Sequence, residues 1–402
     1  MGAIYSNAYC NFSATLAAEL PVGLFFDRNL THSKAFPVTI ERQGHHFECF
    51  GFSVKALTHL NDESLMQRGW VLQERLLSPR TIYFGHQLSW ECGQSLANEL
   101  FPKGVPGGFG NYWGSNTPYK LSRLLNTDPT LATNPAFVSN TDDTEPSKSI
   151  LYERWSEIVL TYSACELSFD TDILPAISGL AQQFGELLGD VYLAGLWQST
   201  LLRNLLWSRS SAWKASDLIP RPHSYRAPSW SWASLKSPII WLHPDHIVST
   251  DLVALIDSST TLASEDPFGQ VTDGYVRLSG HLCLLQRHRY VATQHPDLGD
   301  WYDVEATGDV SKSPAGARFL IPFARAPAYS LPVSNTPERM YAGRIKGLVL
   351  EAIPGQAQNT FKRLGVFTHP CGEYRTEEER RDFPEFDGFD FDHSPRQVIT
   401  IV

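Results

Sequence analysis

Six cysteines in 402 residues are too few and too scattered for a disulfide framework. Cys10, Cys49, Cys92, Cys165, Cys283 and Cys371 form no Cys-x-x-Cys pair, and no secretory segment precedes them. Reduced thiols in a cytoplasmic protein are therefore expected. Long apolar runs are missing too. None reaches the roughly 18 residues that a membrane span needs, so no integral membrane segment is expected. Basic residues are scarce: 33 Lys and Arg against 43 Asp and Glu give a net charge of -10. Without a basic stripe to displace counterions, nucleic acid is not an expected partner. The short motifs of common chemistries are also absent: no Gly-x-Gly-x-x-Gly, no Walker loop, no His-Glu-x-x-His and no Gly-x-Ser-x-Gly. His45 and His46 are adjacent, so on a strand they point to opposite faces. His223, His243 and His246 fall on a proline-broken loop. Neither group has the spacing of a metal site, and no metal and no cofactor are expected.

What is present is enough for a packed core. Hydrophobic residues make up 42% and charged residues only 19%, which excludes a disordered chain. The length suits two or three domains. Aromatic content is 12%, with 11 tryptophans. The chain centres on Arg68-Gly69-Trp70-Val71-Leu72-Gln73-Glu74-Arg75-Leu76-Leu77-Ser78-Pro79-Arg80. Its apolar positions give a helical stripe that Pro79 breaks. Trp70 and Glu74 lie four residues apart and share a face, with Arg68 and Arg75 flanking. A carboxylate beside a large apolar ring is partly desolvated, which raises its pKa and suits it to acid or base work. The competing reading is an ion pair of Glu74 with Arg75, Arg68 or Arg80.

An α+β architecture follows from the rest of the chain. Residues 1–26 read as strand and then turn, with Ala8, Cys10, Phe12 and Ala14 on one face and Asn7, Asn11 and Ser13 on the other. Residues 36–58 read as two short strands, with His45 and His46 in the turn. Gly, Pro and polar residues dominate 100–148, a long loop in which Tyr112 and Trp113 pack on something. Three helical stripes follow: Leu151, Trp155, Ile158, Val159 and Tyr162; then Ile173 to Leu188, with Pro175 in its first turn and Gly189 at its stop; then Leu193, Trp197, Leu201 and Leu205. From about residue 225 the pattern is β. Ser229-Trp230-Ser231-Trp232 alternates, Val276, Leu278 and Leu282 alternate with polar neighbours, and further strands are expected at 317–323, 345–353, 362–368 and 396–402. The acidic, aromatic stretch 373–395 reads as a loop. The divisions expected are 1–99, 100–148, a helical segment at 149–215, and a β-rich part at 216–402 built as an antiparallel sandwich or barrel.

The central stretch also carries a resemblance. With the aromatic strand that follows and its Trp90-Glu91-Cys92, it resembles the signature of the fungal HET (heterokaryon incompatibility) domain. The opening Met1-Gly2-Ala3-Ile4-Tyr5-Ser6-Asn7-Ala8-Tyr9 and Gly23-Leu24-Phe25-Phe26-Asp27-Arg28 are similar to segments of that family. Leu174 to Ala181 and Ala227 to Ser234 resemble blocks that follow the domain in many members. In the family the Met-Gly-x-Ile-Tyr block lies well inside the domain, so the resemblance implies an N-terminally truncated HET part. Met1-Gly2-x-x-x-Ser6 also fits an N-myristoylation pattern, but it belongs to that block. HET domains resemble TIR domains, α/β modules of which some hydrolyse NAD through a glutamate. Trp70-x-x-x-Glu74 has the spacing of the TIR Trp-Cys-x-x-Glu. The resemblance thus implies a TIR-like α/β part that keeps the glutamate and lacks the front of the nucleotide site.

Three functions follow as expectations. By elimination, the first is a cofactor-independent biosynthetic enzyme that cyclises a hydrophobic small molecule in a Diels–Alder manner, a reaction that needs an apolar cavity and a hydrogen-bond donor. The second is the family's own role, a cell-death effector of incompatibility, as an NAD hydrolase using Glu74. The third is a binding remnant with no activity. The expected site is an apolar cavity at the junction of the HET-like part and the β half. Glu74, Arg75 and His86 would supply its polarity, and Trp70, Trp90, Trp197, Trp230 and Trp232 its walls.

Overall fold

A computed structural model describes residues 1–16, 24, 25, 27, 34–52, 63–105, 120–121, 146–210, 222, 224–241, 252–284, 301–302, 318–326, 329–331, 339–341, 343–357, 359–371 and 396–402. Tyr112 and Trp113, most of the 100–148 loop, His223, His243, His246 and all of 373–395 lie outside the described residues. The protein is mixed α+β, and the chain divides into two compact units: Met1–Ala132 with Asp143–Gly189, and Thr133–Asp142 with Asp190–Val402.

The first unit opens with a short helix, α1 (Gly2–Ser6), and a short strand, β1 (Asn11–Ser13). The expected strand alternation is corrected here. Residues 2–6 are helical, and in β1 it is Ser13 that is buried while Phe12 is 61% exposed. A hairpin follows, β2 (Phe36–Arg42) and β3 (His45–Gly51), paired from Phe36 with Gly51 to Arg42 with His45. Its two-residue turn is Gln43-Gly44, both at positive φ, the geometry that suits the twist of a tight hairpin. His45 and His46 therefore begin β3 and are not turn residues.

The central helix, α2 (Gly69–Leu77), runs where its stripe predicts. Gly69 is fixed at its start because a Cβ there would stand 2.7 Å from a Leu167 methyl carbon. The Gly69 N–H donates to the Glu166 carbonyl at 2.8 Å. At the other end Ser78 donates its hydroxyl to the Glu74 carbonyl at 2.7 Å, and Pro79 prevents a further turn. Three strands follow at once: β4 (Arg80–Phe84), β5 (Leu88–Cys92) and β6 (Leu96–Asn98). With β1 they make a four-stranded sheet in the order β1-β4-β5-β6, β1 running parallel to β4. Two longer helices complete the unit. In α3 (Pro146–Ser163) the residues Leu151, Trp155, Ile158, Val159 and Tyr162 are all buried. In α4 (Ser178–Leu188), Leu180, Ala181, Phe184 and Leu188 form the buried face. Pro175 opens a 3-10 turn ahead of α4, and Gly189 ends it at φ +61°, a left-handed stop that glycine takes without steric cost. Trp155 and Phe184 pack ring on ring at 5.5 Å.

In the second unit the expected third helix is largely absent. Leu193 and Trp197 sit in a tiny hairpin, β7 (Tyr192–Leu193) and β8 (Leu196–Trp197). Its turn is Ala194-Gly195, at φ +44° and +99°. Only α5 (Leu201–Asn204) is α-helical there. A glycine two residues before the tryptophan allows the reversal, and helical spacing alone does not register it. The small sheet β9 (Trp207–Arg209) and β10 (Ile239–Trp241) follows in pairing. Between them, Ser229 to Trp232 form a turn leading into a 3-10 helix at Trp232–Ser234, so the alternating strand expected there is corrected.

The largest element is an eight-stranded sheet. β11 (Val253–Leu262) pairs with β12 (Val271–His281), and after Leu282 the chain continues as β13 (Cys283–Leu284). The remaining strands are β14 (Trp301–Tyr302), β15 (Arg318–Ala326), β18 (Gly343–Ala352), β19 (Thr360–Cys371) and β20 (Arg396–Ile401); β16 (Tyr329–Leu331) and β17 (Arg339–Tyr341) form a separate ribbon. The order is β11-β12-β20-β19-β18-β15-β13, with β14 on β19. Because β13 prolongs β12, the chain from β12 to β13 stands at both ends of the path β20-β19-β18-β15, and the sheet closes on itself as a barrel. Val276, Leu278, Ile321, Phe323, Leu348, Val366, Ile399 and Ile401 are each fully buried. Gly280 on β12 approaches Ile321 on β15 so closely that a Cβ would lie 2.9 Å from the isoleucine Cδ1.

Candidate functional site

Alternation turns Thr81 and Tyr83 on β4, and Ser89 and Glu91 on β5, into the interior of the first unit. They meet Arg75 of α2, itself buried. Its guanidinium clasps Glu91 through two parallel bonds, Nε to Oε2 at 2.9 Å and Nη2 to Oε1 at 3.2 Å. The Tyr83 hydroxyl donates to the same carboxylate. Lys120, also buried, donates its ammonium to the Arg75 carbonyl at 2.6 Å and to the Thr81 hydroxyl. Burial alone would raise the Glu91 pKa, but Arg75 and Lys120 hold it below the usual carboxylate value. Burial works against the Arg75 charge, and Glu91 and Tyr83 restore it. Lys120 has less support, and burial pushes it down from 10.5 to about 8.

Glu74 faces elsewhere, because successive helical residues lie about 100° apart. It is half-buried, on the helix against which α1, with Tyr5, packs. Burial raises its pKa, while Tyr5 and the Arg68 charge oppose the rise. Tyr5 is pushed up to about 12, by burial first and then by the Glu74 charge. Trp70, one turn back, donates its indole N–H to Asp172 Oδ2 at 3.0 Å. α1 is seated by a crossing of glycines: a Cβ on Gly179 would stand 3.0 Å from Gly2 Cα and 2.9 Å from Gln73 Oε1. Gln73 in turn accepts the Gly179 N–H at 2.7 Å.

The other predicted residues are placed as follows. His86 is exposed in the β4–β5 turn, where its backbone N–H donates to Glu63 Oε1 at 3.1 Å. Trp90 is half-buried between Ile82 and Ala97, on the face of the sheet opposite Glu91. Trp70 and Glu74 thus share one flank of α2, Arg75 takes the other, and Trp90 lies across the sheet from Arg75. Trp197, Trp230 and Trp232 belong to the second unit and are 0%, 0% and 1% exposed. Trp232 donates its N–H to the Gly195 carbonyl at 3.0 Å and Trp230 donates to the Gly274 carbonyl at 3.4 Å. A Cβ on Gly195 would meet Trp232 Nε1 at 2.5 Å. Nearby, the buried Arg363 stacks on Trp207 at 3.7 Å and donates to the carbonyls of Leu205 and Trp207.

Tyr5, Tyr83, Glu91, Lys120 and Asp172 were not singled out from the sequence. For Tyr83 and Glu91 a signal exists, since period two puts both on one face with Thr81 and Ser89. For Tyr5, Lys120 and Asp172, each 39 or more residues from its partner, no local pattern carries it. Among the described residues no group of three or more His, Cys, Asp or Glu side chains is placed to hold a metal ion, and no helix is long and apolar enough to cross a membrane.

The model of the family "Heterokaryon incompatibility protein (HET)" matches residues 1–74. The match thus spans α1, β1, the β2–β3 hairpin and α2 as far as Glu74. Searches of curated proteins and of solved structures returned no match.

Proposed function

We propose that the protein is a HET-type effector of heterokaryon incompatibility, with Glu74 as the working carboxylate of an NAD-cleaving site. The observation that carries this reading is the placement of Glu74 within the HET match: a half-buried carboxylate, its pKa raised by burial, on the same flank of α2 as Trp70. A carboxylate so placed suits glycosidic cleavage. Water adds to the ribose carbon as its bond to nicotinamide breaks, giving ADP-ribose, nicotinamide and a proton. Glu74 orients the ribose hydroxyls and stabilises the positive charge that develops on the sugar. Trp70, fixed by Asp172, offers a ring edge on the same flank of the helix. The cyclisation reading rests on elimination and on the chain's aromatic content.

The test is incubation of the purified chain with NAD, followed by chromatography. Release of nicotinamide by the wild type and its loss in Glu74→Gln is the expected result. Intact NAD with the wild type, or equal turnover by both proteins, overturns the reading. Induced expression in a fungal host supplies the second arm: growth arrest with the wild type and none with Glu74→Gln.

A further inference from the structure

We propose that the apolar face of the β1-β4-β5-β6 sheet is an interface between two copies of this chain. The sheet turns Thr81, Tyr83, Ser89 and Glu91 toward the ion cluster under α2, so alternation sends its apolar residues to the other side. Phe12, Ile82, Trp90 and Ala97 are register partners from strand to strand and make one row across that side. Along β4 the same side carries Arg80, Ile82 and Phe84. Two rings gather at Phe84: Phe12 at 6.2 Å between centroids, and Phe25, edge-on, at 5.8 Å. At the other end of β4 the Arg80 guanidinium lies 5.0 Å from the centre of the Tyr9 ring and donates to the Tyr9 carbonyl at 3.3 Å. The patch is therefore continuous from Tyr9 to Phe25.

Its area fits a partner of its own size. Tyr9, Phe12 and Phe25 are 83%, 61% and 84% exposed. At about 150–250 Å² for each aromatic side chain, these three rings leave roughly 450 Å² in water. The half-buried Ile82, Phe84, Leu88 and Trp90 add to that. The largest apolar patch on a typical monomer is about 300–600 Å², and a standard interface takes about 800 Å² from each partner. Charge selects the occupant. Arg80 is the one charged side chain among these residues, and it already lies against Tyr9, so the face offers a charged partner little to pair with. A second copy suits it. A two-fold axis along the Phe12-Ile82-Trp90-Ala97 row reverses the strands and leaves their order unchanged, so Phe12 meets Phe12 of the other copy. The same axis lays each Arg80 over the other copy's Phe84 end, which keeps the two guanidinium groups apart and sets each against an aromatic face. Sheets stacked in this way are aligned, the usual packing of twisted sheets.

Sedimentation equilibrium of the full chain over a wide range of concentration tests the proposal. A reversible dimer is expected, and its dissociation constant should hold in high salt, because apolar contact is not screened. Phe12→Ser combined with Phe25→Ser should raise that constant about tenfold or more. Both rings are exposed in the single chain, so the melting temperature at a dilution where the wild type is monomeric should stay unchanged. A second measurement keeps the chain otherwise intact: Phe25 is replaced by the photoreactive p-benzoylphenylalanine, and irradiation should give a covalent dimer joined at Tyr9 or Arg80 of the other copy. A monomer at every concentration overturns the proposal. So does a dimer whose constant the double substitution leaves unmoved, or a cross-link that falls outside this face.

Discussion

Glu91→Gln is the substitution whose cost the structure defines most closely. The Glu91 side chain is 1% exposed and that of Arg75 is 7%. The carboxylate accepts two guanidinium bonds and the Tyr83 hydroxyl, and its charge offsets both Arg75 and Lys120. Glutamine keeps the shape, so no cavity term enters. It removes the charge and turns an amide N–H₂ toward a guanidinium that also only donates. The two buried cations then lose the carboxylate that offsets both. Removing one partner of a buried pair costs about 3–5 kcal/mol, whereas an exposed pair is worth about 0–1 kcal/mol. Urea unfolding followed by circular dichroism measures the difference. Its pH dependence gives a second check. The folded Glu91 pKa is depressed, so its contribution is present above the ordinary carboxylate value of about 4.3 and is lost as pH falls through the lower folded value. The gap between wild type and Glu91→Gln should hold steady from about pH 5 to 8 and close in acid. Pairing Glu91→Gln with Arg75→Met should recover part of the loss, because the stranded charge is gone. A cost below about 1 kcal/mol, or a gap that persists in strong acid, would refute the reasoning.

Two further outcomes follow from the same geometry. Lys120 titrates at about 8 when folded against 10.5 when free, so the unfolded chain binds more protons between these values and stability rises with pH there. The difference corresponds to about 3 kcal/mol; subtracting the unfolding free energy of Lys120→Met from that of the wild type, pH by pH, should show this slope, and a flat difference from pH 8 to 10.5 would exclude it. Trp230→Ala should cost about 3–5 kcal/mol, read from urea unfolding, because the ring is fully buried and its backbone carbonyl receives the Trp207 N–H at 2.9 Å; an unchanged midpoint would show that the ring is not core.

The elements that were legible in the sequence are those whose period and punctuation agree. α2 ends at a proline, α4 ends at a glycine with positive φ, and β12 alternates buried Val276 and Leu278 with exposed Arg277. Strands β12, β15, β18, β19 and β20 lie where runs of apolar residues place them, whereas β11 and β14 were not expected, and the closure does not show in any single run. Closure depends on β12 continuing through Leu282 into β13 and meeting β15. Where prediction failed, one local residue overrode the period. Gly195 reversed the chain inside an apparent helical stripe, and the Ser231 side chain capped a 3-10 turn inside an apparent strand by accepting the Ala233 N–H at 3.1 Å. Of the candidate site, α2 and the shared flank of Trp70 and Glu74 could be read from spacing. The Trp70 partner Asp172 could not, being 102 residues away along the chain.

The four-stranded sheet shows a subtler reason. Its alternation is plain in the sequence, yet its phase is the reverse of the usual one. Thr81, Tyr83, Ser89 and Glu91 face inward, while Ile82, Phe84, Leu88 and Trp90 take the other face and are half-buried. The same inversion holds in β1, with Ser13 in and Phe12 out. Patterning assumes that the apolar face seeks the interior, and here the interior face carries the ion cluster. That face can be polar because Arg75 and Lys120 satisfy it: every buried carboxylate oxygen of Glu91 has a donor. The cluster and the inverted phase are therefore one feature. A single bond pattern from α2 to β5 lets a sheet bury its polar side, and it sets Arg75 inward, which leaves Glu74, the next residue back, on the flank it shares with Trp70.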